Sequence, residues 1–302
     1  MNTHSTKQSL AAALAGERWQ GRTVGFVPTM GALHEGHISL MRRARAENDV
    51  VVASIFVNPL QFAPTDDLGR YPRNLDGDAA LAAEAGVDHL FAPEVAEMYP
   101  RGSIATRVDV GPIGEVGEGA WRPGFFAGVA TVCCKLFNLV APDRAYFGQK
   151  DAQQLAVIRQ LVADLDLPLE IVGCPTVREP DGLALSSRNA YLDPEARRAA
   201  PALAAALLAA RDAAASGEES AVELRWIVKT CLEAEPAIRL QYVDLFDPVT
   251  FSARERLDGP GVLAAAAYVG GTRLIDNIEV VSAPGRPSRR RIGTSPAEVG
   301  GR

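Results

Sequence analysis

The stretch Val24-Gly25-Phe26-Val27-Pro28-Thr29-Met30-Gly31-Ala32-Leu33-His34-Glu35-Gly36-His37 constrains this chain more than any other. An apolar run, Val24 to Val27, is stopped by Pro28, which cannot donate to a sheet ladder. A turn of small residues follows, with Gly31 and Gly36, and then Ile38, Leu40, Met41 and Ala44 recur at helical spacing. The pattern is strand, tight turn, helix, and it delivers two histidines to the start of the helix. In a parallel sheet that crevice, at the carboxyl end of the strands, is where phosphates bind.

A helix start offers unpaired backbone N–H groups and a partial positive charge. An imidazole beside those donors can hydrogen-bond phosphate oxygens, and it can gain charge near neutral pH as the phosphorus centre becomes more negative. His-x-x-His spacing puts both rings on one face if the segment is helical. The zinc-protease pattern needs His-Glu-x-x-His, and here the second histidine comes one position early. Two surface histidines after a turn are the bland alternative. Placing two of the chain's four histidines in one tetrad directly after a strand argues against it.

His34-Glu35-Gly36-His37 resembles the His-x-Gly-His motif of the nucleotidyltransferase superfamily, shared with class I aminoacyl-tRNA synthetases. The longer run from Pro28 to His37 resembles the pantoate–β-alanine ligase family, and ten consecutive residues are far more specific than four.

The 302 residues suffice for two domains or one large α/β domain. A hydrophobic content of 47% and charged content of 23% are those of an ordinary globular protein. A net charge of −6 disfavours a general nucleic-acid surface, against a tRNA-binding synthetase. Cys133, Cys134, Cys174 and Cys231 lack metal-ligand spacing, and Cys133 and Cys134, adjacent in an apolar helical pattern, read as small core fillers in a reducing cytosol. No run approaches the ~18 apolar residues of a membrane span. Leu10 to Ala15 has no strongly basic leader, so an amphipathic first helix is expected there rather than a signal peptide.

Along the chain, a helix is expected over about 5–14. Val50 to Val57 is a continuous β-branched run suited to a strand buried on both faces, and it ends in the turn Asn58-Pro59-Leu60-Gln61-Phe62. A Pro-, Asp- and Arg-rich loop (64–74), a helix near 75–85 and a short strand at 88–91 come next. Thr106 to Val110 is expected as a strand and the Gly-rich 111–128 as a mobile loop. A helix over 129–140, a strand at 143–147, an amphipathic helix marked by Leu155, Ile158, Leu161, Val162 and Leu165, and a strand at 169–173 complete the alternation. Alternating strands and helices imply an α/β fold, a Rossmann-like parallel sheet with helices on both faces.

Pro175 marks a boundary. After it come one Ala-rich helix over 194–215, opened by Asp193-Pro194, a helix over 221–234, and strands at 240–246, 262–269 and 273–280. The expected organisation is a nucleotide-binding catalytic domain over 1–175, a smaller C-terminal α+β domain over 176–282 covering the site, and a disordered tail over 283–302.

Two further pieces bear on chemistry. In Phe147-Gly148-Gln149-Lys150-Asp151 the glycine lets backbone approach a ligand, and Lys150 past a strand end can reach phosphate oxygens, though a loop lysine is also often simply solvated. Ser186-Ser187-Arg188 offers two hydroxyls and a guanidinium fork, a set suited to a triphosphate but also to a helix cap with a surface arginine. The resemblance favours the first: in related adenylating enzymes this place is taken by a Lys-Met-Ser-Lys-Ser loop. Gln61 and Gln154 are neutral amides that can orient a carboxylate without neutralising it, but a glutamine is by default a polar surface residue, and only the resemblance favours the first reading.

The resemblance covers about residues 24–192 with clear motifs and, more weakly, the strand pattern to Asn277. It implies a cytoplasmic homodimer that uses ATP and Mg²⁺ to join pantoate and β-alanine. Pantoyl-adenylate would be the intermediate, with pantothenate, AMP and pyrophosphate as products. Met30, Gly31, Ala32, Leu33, His34, Glu35, Gly36 and His37 would line the ATP, His37 as proton donor. Gly148, Gln149, Lys150, Asp151, Val177, Leu185, Ser186, Ser187 and Arg188 would complete the nucleotide site, with His34, His37, Lys150 and Arg188 as the catalytic set. Gln61 and Gln154 would hold pantoate, Gln61 also facing β-alanine. Three residues depart from the family pattern: Phe125, in Arg122-Pro123-Gly124-Phe125-Phe126, stands where His is common, Gln149 where Glu is usual, and Leu185 where Met is usual. Another nucleotidylyltransferase of the superfamily and a catalytically dead nucleotide binder are the competing readings.

Overall fold

The computed structural model describes residues 1–63, 68–102 and 104–282. The expected disordered tail over 283–302 and part of the expected loop over 64–74 lie outside them.

Six strands form one parallel sheet: β1 (Asn2–His4), β2 (Val24–Thr29), β3 (Val50–Ile55), β4 (His89–Phe91), β5 (Arg144–Gly148) and β6 (Glu170–Cys174), ordered β1-β4-β3-β2-β5-β6. They are joined by helices α1 (Lys7–Trp19), α2 (Glu35–Glu47), α3 (Leu75–Glu84), α4 (Val95–Met98), α5 (Glu118–Trp121), α6 (Phe125–Val140) and α7 (Ala152–Asp164). Side chains alternate faces along a strand, so an unbroken apolar run needs cover on both sides. β3 shows this: Val50 and Val52 enter the core with α1, α6 and α7, while Val51 and Ala53 enter the one with α2 and α3. β2 continues through Pro28 to Thr29. The Thr29 carbonyl faces β3, accepting from Phe56 N–H, so Pro28 faces the β5 side, where pairing ends at Phe26. The missing N–H therefore breaks no ladder bond.

From β2 the chain moves outward through β3 to β4 on one side, then returns to place β5 and β6 on the other. The carboxyl ends of β2 and β5 therefore flank the topological switch point, the crevice where ligands of such sheets bind.

Helices α8 (Pro194–Ala199), α9 (Pro201–Ala215) and α10 (Ala221–Glu233) cover a separate antiparallel sheet of β7 (Ile238–Phe246), β8 (Gly261–Val269) and β9 (Thr272–Val280), ordered β7-β8-β9. One face, with Leu263, Ala265 and Ala267 of β8, packs on these helices. Val262 and Ala264, from the other, join Phe246 and Phe251 in the central core of the large sheet.

Three expectations are corrected. Thr106 to Val110 forms no strand: it lies along α6, where Val108 N–H donates to Thr131 Oγ1 (3.0 Å) and Val108 and Val110 pack on the central core. The Gly-rich segment 111–128 is not a continuous loop but a 3₁₀ turn (Gly111–Gly114), α5 and the first turn of α6. Glycine there serves close packing: a Cβ at Gly128 would sit 2.3 Å from the Leu60 carbonyl oxygen. The single helix expected over 194–215 is split at Ala200, because Pro201 lacks the N–H that would continue it. β1 is an addition to the expected elements, since its three polar residues carry no strand signal.

Candidate active site

Geometry at the switch point begins with the turn after β2. His34 is not inside α2 but is its N-cap, with extended backbone. Its Nδ1 accepts from Gly36 N–H (3.1 Å), and the His37 Nδ1 accepts from His34 N–H (3.4 Å), a reciprocal capping box built from two imidazoles. With Nδ1 accepting in each ring, the remaining N–H of each neutral imidazole is at Nε2. The ring centroids lie 4.1 Å apart, so paired donors face the crevice. Gly36 is required by contact, since a Cβ there would lie 2.8 Å from the His34 ring.

In the free protein both imidazoles are held uncharged. Burial, then the Lys150 charge, lowers the His34 pKa to about 4. For His37, burial, then His34 and then Lys150 lower it to about 3. Both rings are neutral N–H donors at physiological pH.

The turn itself is held from below. Asp78, buried in the first turn of α3, accepts from Ala32 N–H (2.9 Å) and Leu33 N–H (2.8 Å), and Thr29 Oγ1 accepts from Gly31 N–H (3.1 Å). These three backbone donors are used internally. Gly31, Ala32 and Leu33 accordingly shape the turn without lining the cavity, and exposed Glu35 pairs with Arg42.

Beyond β3, the Asn58–Gln61 turn forms a polar chain. Tyr99 OH donates to Asn58 Oδ1 (2.7 Å), Asn58 Nδ2 donates to Gln61 Oε1 (3.0 Å), and Gln61 Nε2 donates to Met30 Sδ (3.2 Å). Arg122 donates to the Gln61 carbonyl (3.2 Å) and lies 3.8 Å over the Phe125 ring. Where the resemblance leads one to expect an imidazole, this chain has an aromatic face carrying a guanidinium. Gln154, in the first turn of α7, makes no side-chain hydrogen bond among the described residues. Its neighbour Gln153 is spent on structure, donating to the carbonyls of Ile113 and Val116 (2.8 Å each).

One cavity of about 820 Å³ brings the predicted residues together. Met30, His34, Gly36, His37 and Gln61 reach it from the β2–β3 side, and Gly148, Lys150, Asp151 and Gln154 from the β5 end. Val177 and Leu185 to Arg188 line it from beyond β6, where Tyr71 OH lies 3.4 Å from Ser187 Oγ. Gln149 is turned away, donating to Glu279 (3.2 Å). His37, Lys150 and Arg188 all line this one cavity.

Sequence reasoning misses Asp78, Asn58, Tyr71, Arg122, Glu118 and Asn277. Asp78 sits in an Asp-rich helix start and looks like a solvated first turn. Asn58 and Arg122 read only as members of a turn and of a glycine loop. Nothing local in the sequence distinguishes them, because contacts that place them, such as Asp78 with Leu33, Asn58 with Tyr99 and Arg122 with Gln61, join residues 41 or more positions apart.

A Rossmann-like sheet with imidazole donors and a lysine at its switch point defines a nucleotide-binding α/β protein. The chain matches the pantoate–β-alanine ligase family model over residues 2–279 and belongs to that family, whose members are acid–amino-acid ligases. It is 53% identical over 271 residues, 90% of each chain, to a pantothenate synthetase of Acidobacterium capsulatum. Its fold is similar to that of a pantothenate synthetase from Thermus thermophilus, with 54% identity and a TM-score of 0.88 over 93% of this chain and 100% of that one. A pantoate–β-alanine ligase from Francisella tularensis, complexed with beta-gamma ATP and beta-alanine, is 37% identical, with a TM-score of 0.75 over 92% of this chain and 97% of that one.

Proposed function

We propose that the chain condenses pantoate with β-alanine in two ATP-dependent steps within this single cavity. In the first, a pantoate carboxylate oxygen attacks the α-phosphorus, the bond to the β-phosphate oxygen breaks, and pyrophosphate leaves. In the second, the β-alanine amine attacks the acyl carbon of pantoyl-adenylate, AMP leaves with the acyl oxygen, and the amine loses its proton as the amide of pantothenate forms. The observation that carries this reading is that phosphate-directed donors and neutral amides line the same hollow. His34 and His37 Nε2–H, Lys150 and Arg188 surround charge that grows on the α-phosphate and pyrophosphate oxygens. Gln154, with its amide uncommitted, and Gln61, whose Nε2 has one proton beyond the Met30 contact, orient the carboxylate without quenching it. Complexation of the Francisella relative with beta-gamma ATP and beta-alanine supports both ligand assignments.

No group of three or more His, Cys, Asp or Glu among the described residues could hold a metal ion. Mg²⁺ would enter with the triphosphate, and Asp151, beside Lys150 on the cavity wall, is the acidic side chain that would help to hold it. When bound it supplies charge neutralisation on the leaving pyrophosphate.

The same reading divides the chain near Pro175 into a catalytic domain (1–175) and a covering domain (176–282), acting as a cytoplasmic homodimer. Thr272 to Asn277 of β9 line the cavity, which supports the covering role. No helix among the described residues is long and apolar enough to cross a membrane.

The decisive experiment measures AMP and pyrophosphate with each acceptor omitted in turn. Pyrophosphate without β-alanine, and AMP only when β-alanine is added, supports the adenylate. A stable nucleotidylated product instead identifies a nucleotidylyltransferase, and ATP binding without turnover a dead binder. His37→Ala is expected to slow pyrophosphate release by roughly a hundredfold or more; release at the wild-type rate would refute the role. Gln154→Ala is expected to weaken pantoate more than ATP in separate titrations, and equal losses would reject the assignment.

A further inference from the structure

Strand β9 carries two adjacent side chains that none of the steps above uses. Asn277 Nδ2 donates to the carbonyl oxygens of Gln149 (3.0 Å) and Lys150 (2.6 Å). Its neighbour Asp276 accepts two hydrogen bonds from the Arg178 guanidinium, at 2.6 and 2.9 Å, and one from Asn277 N–H at 2.8 Å. Asp276 is 3% exposed and Asn277 9%, so these contacts are shielded from water.

Each contact ends on a segment that carries phosphate-facing groups. Gln149–Asp151 is a single 3₁₀ turn after β5, a geometry with poor internal hydrogen bonding. Arg178 belongs to a hairpin closed by Glu179 N–H to the Leu183 carbonyl (2.8 Å) and Leu185 N–H to the Val177 carbonyl (3.0 Å). Arg178 also donates to the Gly182 carbonyl (3.1 Å). That hairpin runs directly into Ser186, Ser187 and Arg188. The two segments leave different strands and share no backbone ladder. β9 binds both through consecutive residues.

We infer that Asp276 and Asn277 are the positioning pair of this site. Asn277 sets the height of Lys150 by holding its turn, Asp276 sets the Ser186–Arg188 segment through Arg178, and the spacing of the two along β9 fixes lysine and arginine relative to one triphosphate. The inference rests on the reading of the cavity as an ATP site. Their hydrogen bonds go to protein segments, and a displacement of about 1 Å in the groups those segments carry can cost ~100-fold in rate.

A double-mutant cycle on the full-length chain tests it, with pyrophosphate release from ATP and pantoate as the rate and thermal midpoints read in parallel. Asn277→Ala is expected to lower kcat by ~10- to 100-fold while leaving the KM for pantoate nearly unchanged. In a Lys150→Ala background the same change is expected to add almost nothing, because its effect passes through the lysine. Losses that multiply would overturn the inference, as would unchanged kcat in Asn277→Ala. If Asn277→Ala does not fold, Asn277→Ser, whose hydroxyl can serve at most one of the two carbonyls, takes its place in the cycle under the same criteria. A wild-type chain that releases no pyrophosphate would fail the function itself; an active wild type with a multiplicative cycle fails only the positioning pair.

Discussion

Two imidazoles hold each other in place here by an unusual division of labour. Nδ1 of each accepts a backbone N–H of the same turn, leaving Nε2 as a fixed donor. Burial and the Lys150 charge make protonation of these rings costly, and both pKa values fall well below the ordinary 6.5, to about 4 and about 3. Between those values and 6.5, the unfolded chain binds protons that the folded one does not. Stability from these residues is therefore complete above about pH 6.5 and declines as the pH falls towards 4. NMR of the ring Cε1–H signals in the ligand-free protein should show His34 and His37 unmoved between about pH 7.5 and 5.5. Midpoints near 6.5 would mean that burial and the Lys150 charge do not lower these pKa values. On the function proposed above, a bound triphosphate would bring negative charge to the same donors and oppose this shift.

Among the elements, the packing of α6 on the Asn58–Gln61 turn decides where the Gln61 side-chain amide sits. Asn58 Nδ2 donates to the Gly128 carbonyl (3.1 Å), and Gly128 itself lies against Leu60 with no room for a methyl group. Gly128→Ala would push the turn off the helix. The expected result is a loss of about 1–3 kcal/mol in urea unfolding, typical of an overpacked site, with a raised KM for pantoate. A KM unchanged at reduced stability would separate helix packing from the position of Gln61. Elements read from local pattern, β3 from a continuous apolar run and α7 from helical spacing, are legible because the residues that make the pattern are close in sequence. The 111–128 segment is not, since glycine spacing carries the same signal for a mobile loop and for a backbone pressed against another.

Over the whole molecule, a buried strut joins the two sheets. Arg273 of β9 donates twice to Glu118 of α5, at 2.8 Å each, and Tyr242 OH of β7 donates to the same carboxylate (3.1 Å). Glu118 N–H in turn donates to Gln153 Oε1 (2.9 Å) on α7. Burial first, then the Glu118 carboxylate, raises the Tyr242 pKa and keeps the hydroxyl protonated as a donor. Arg273→Met should leave the carboxylate without its cation and destabilise the protein by on the order of 3 kcal/mol. Combining it with Glu118→Gln should restore much of that, because the cost lies in the orphaned charge. A urea midpoint in the double variant no higher than in Arg273→Met would contradict this account.

The order of residues alone dictates the local chemistry: a strand, a tight turn and a helix start carrying two histidines, and an alternation that forces a covered parallel sheet. Even the family is legible in ten consecutive residues. It took the folded arrangement to make the rings neutral, to spend the turn's own N–H groups on Asp78, and to tie the lysine turn to the arginine segment through β9. The reason is physical. Burial, charge proximity and shared hydrogen bonds depend on which distant segments meet, and the 127 positions between Asn277 and Lys150 are closed by the fold.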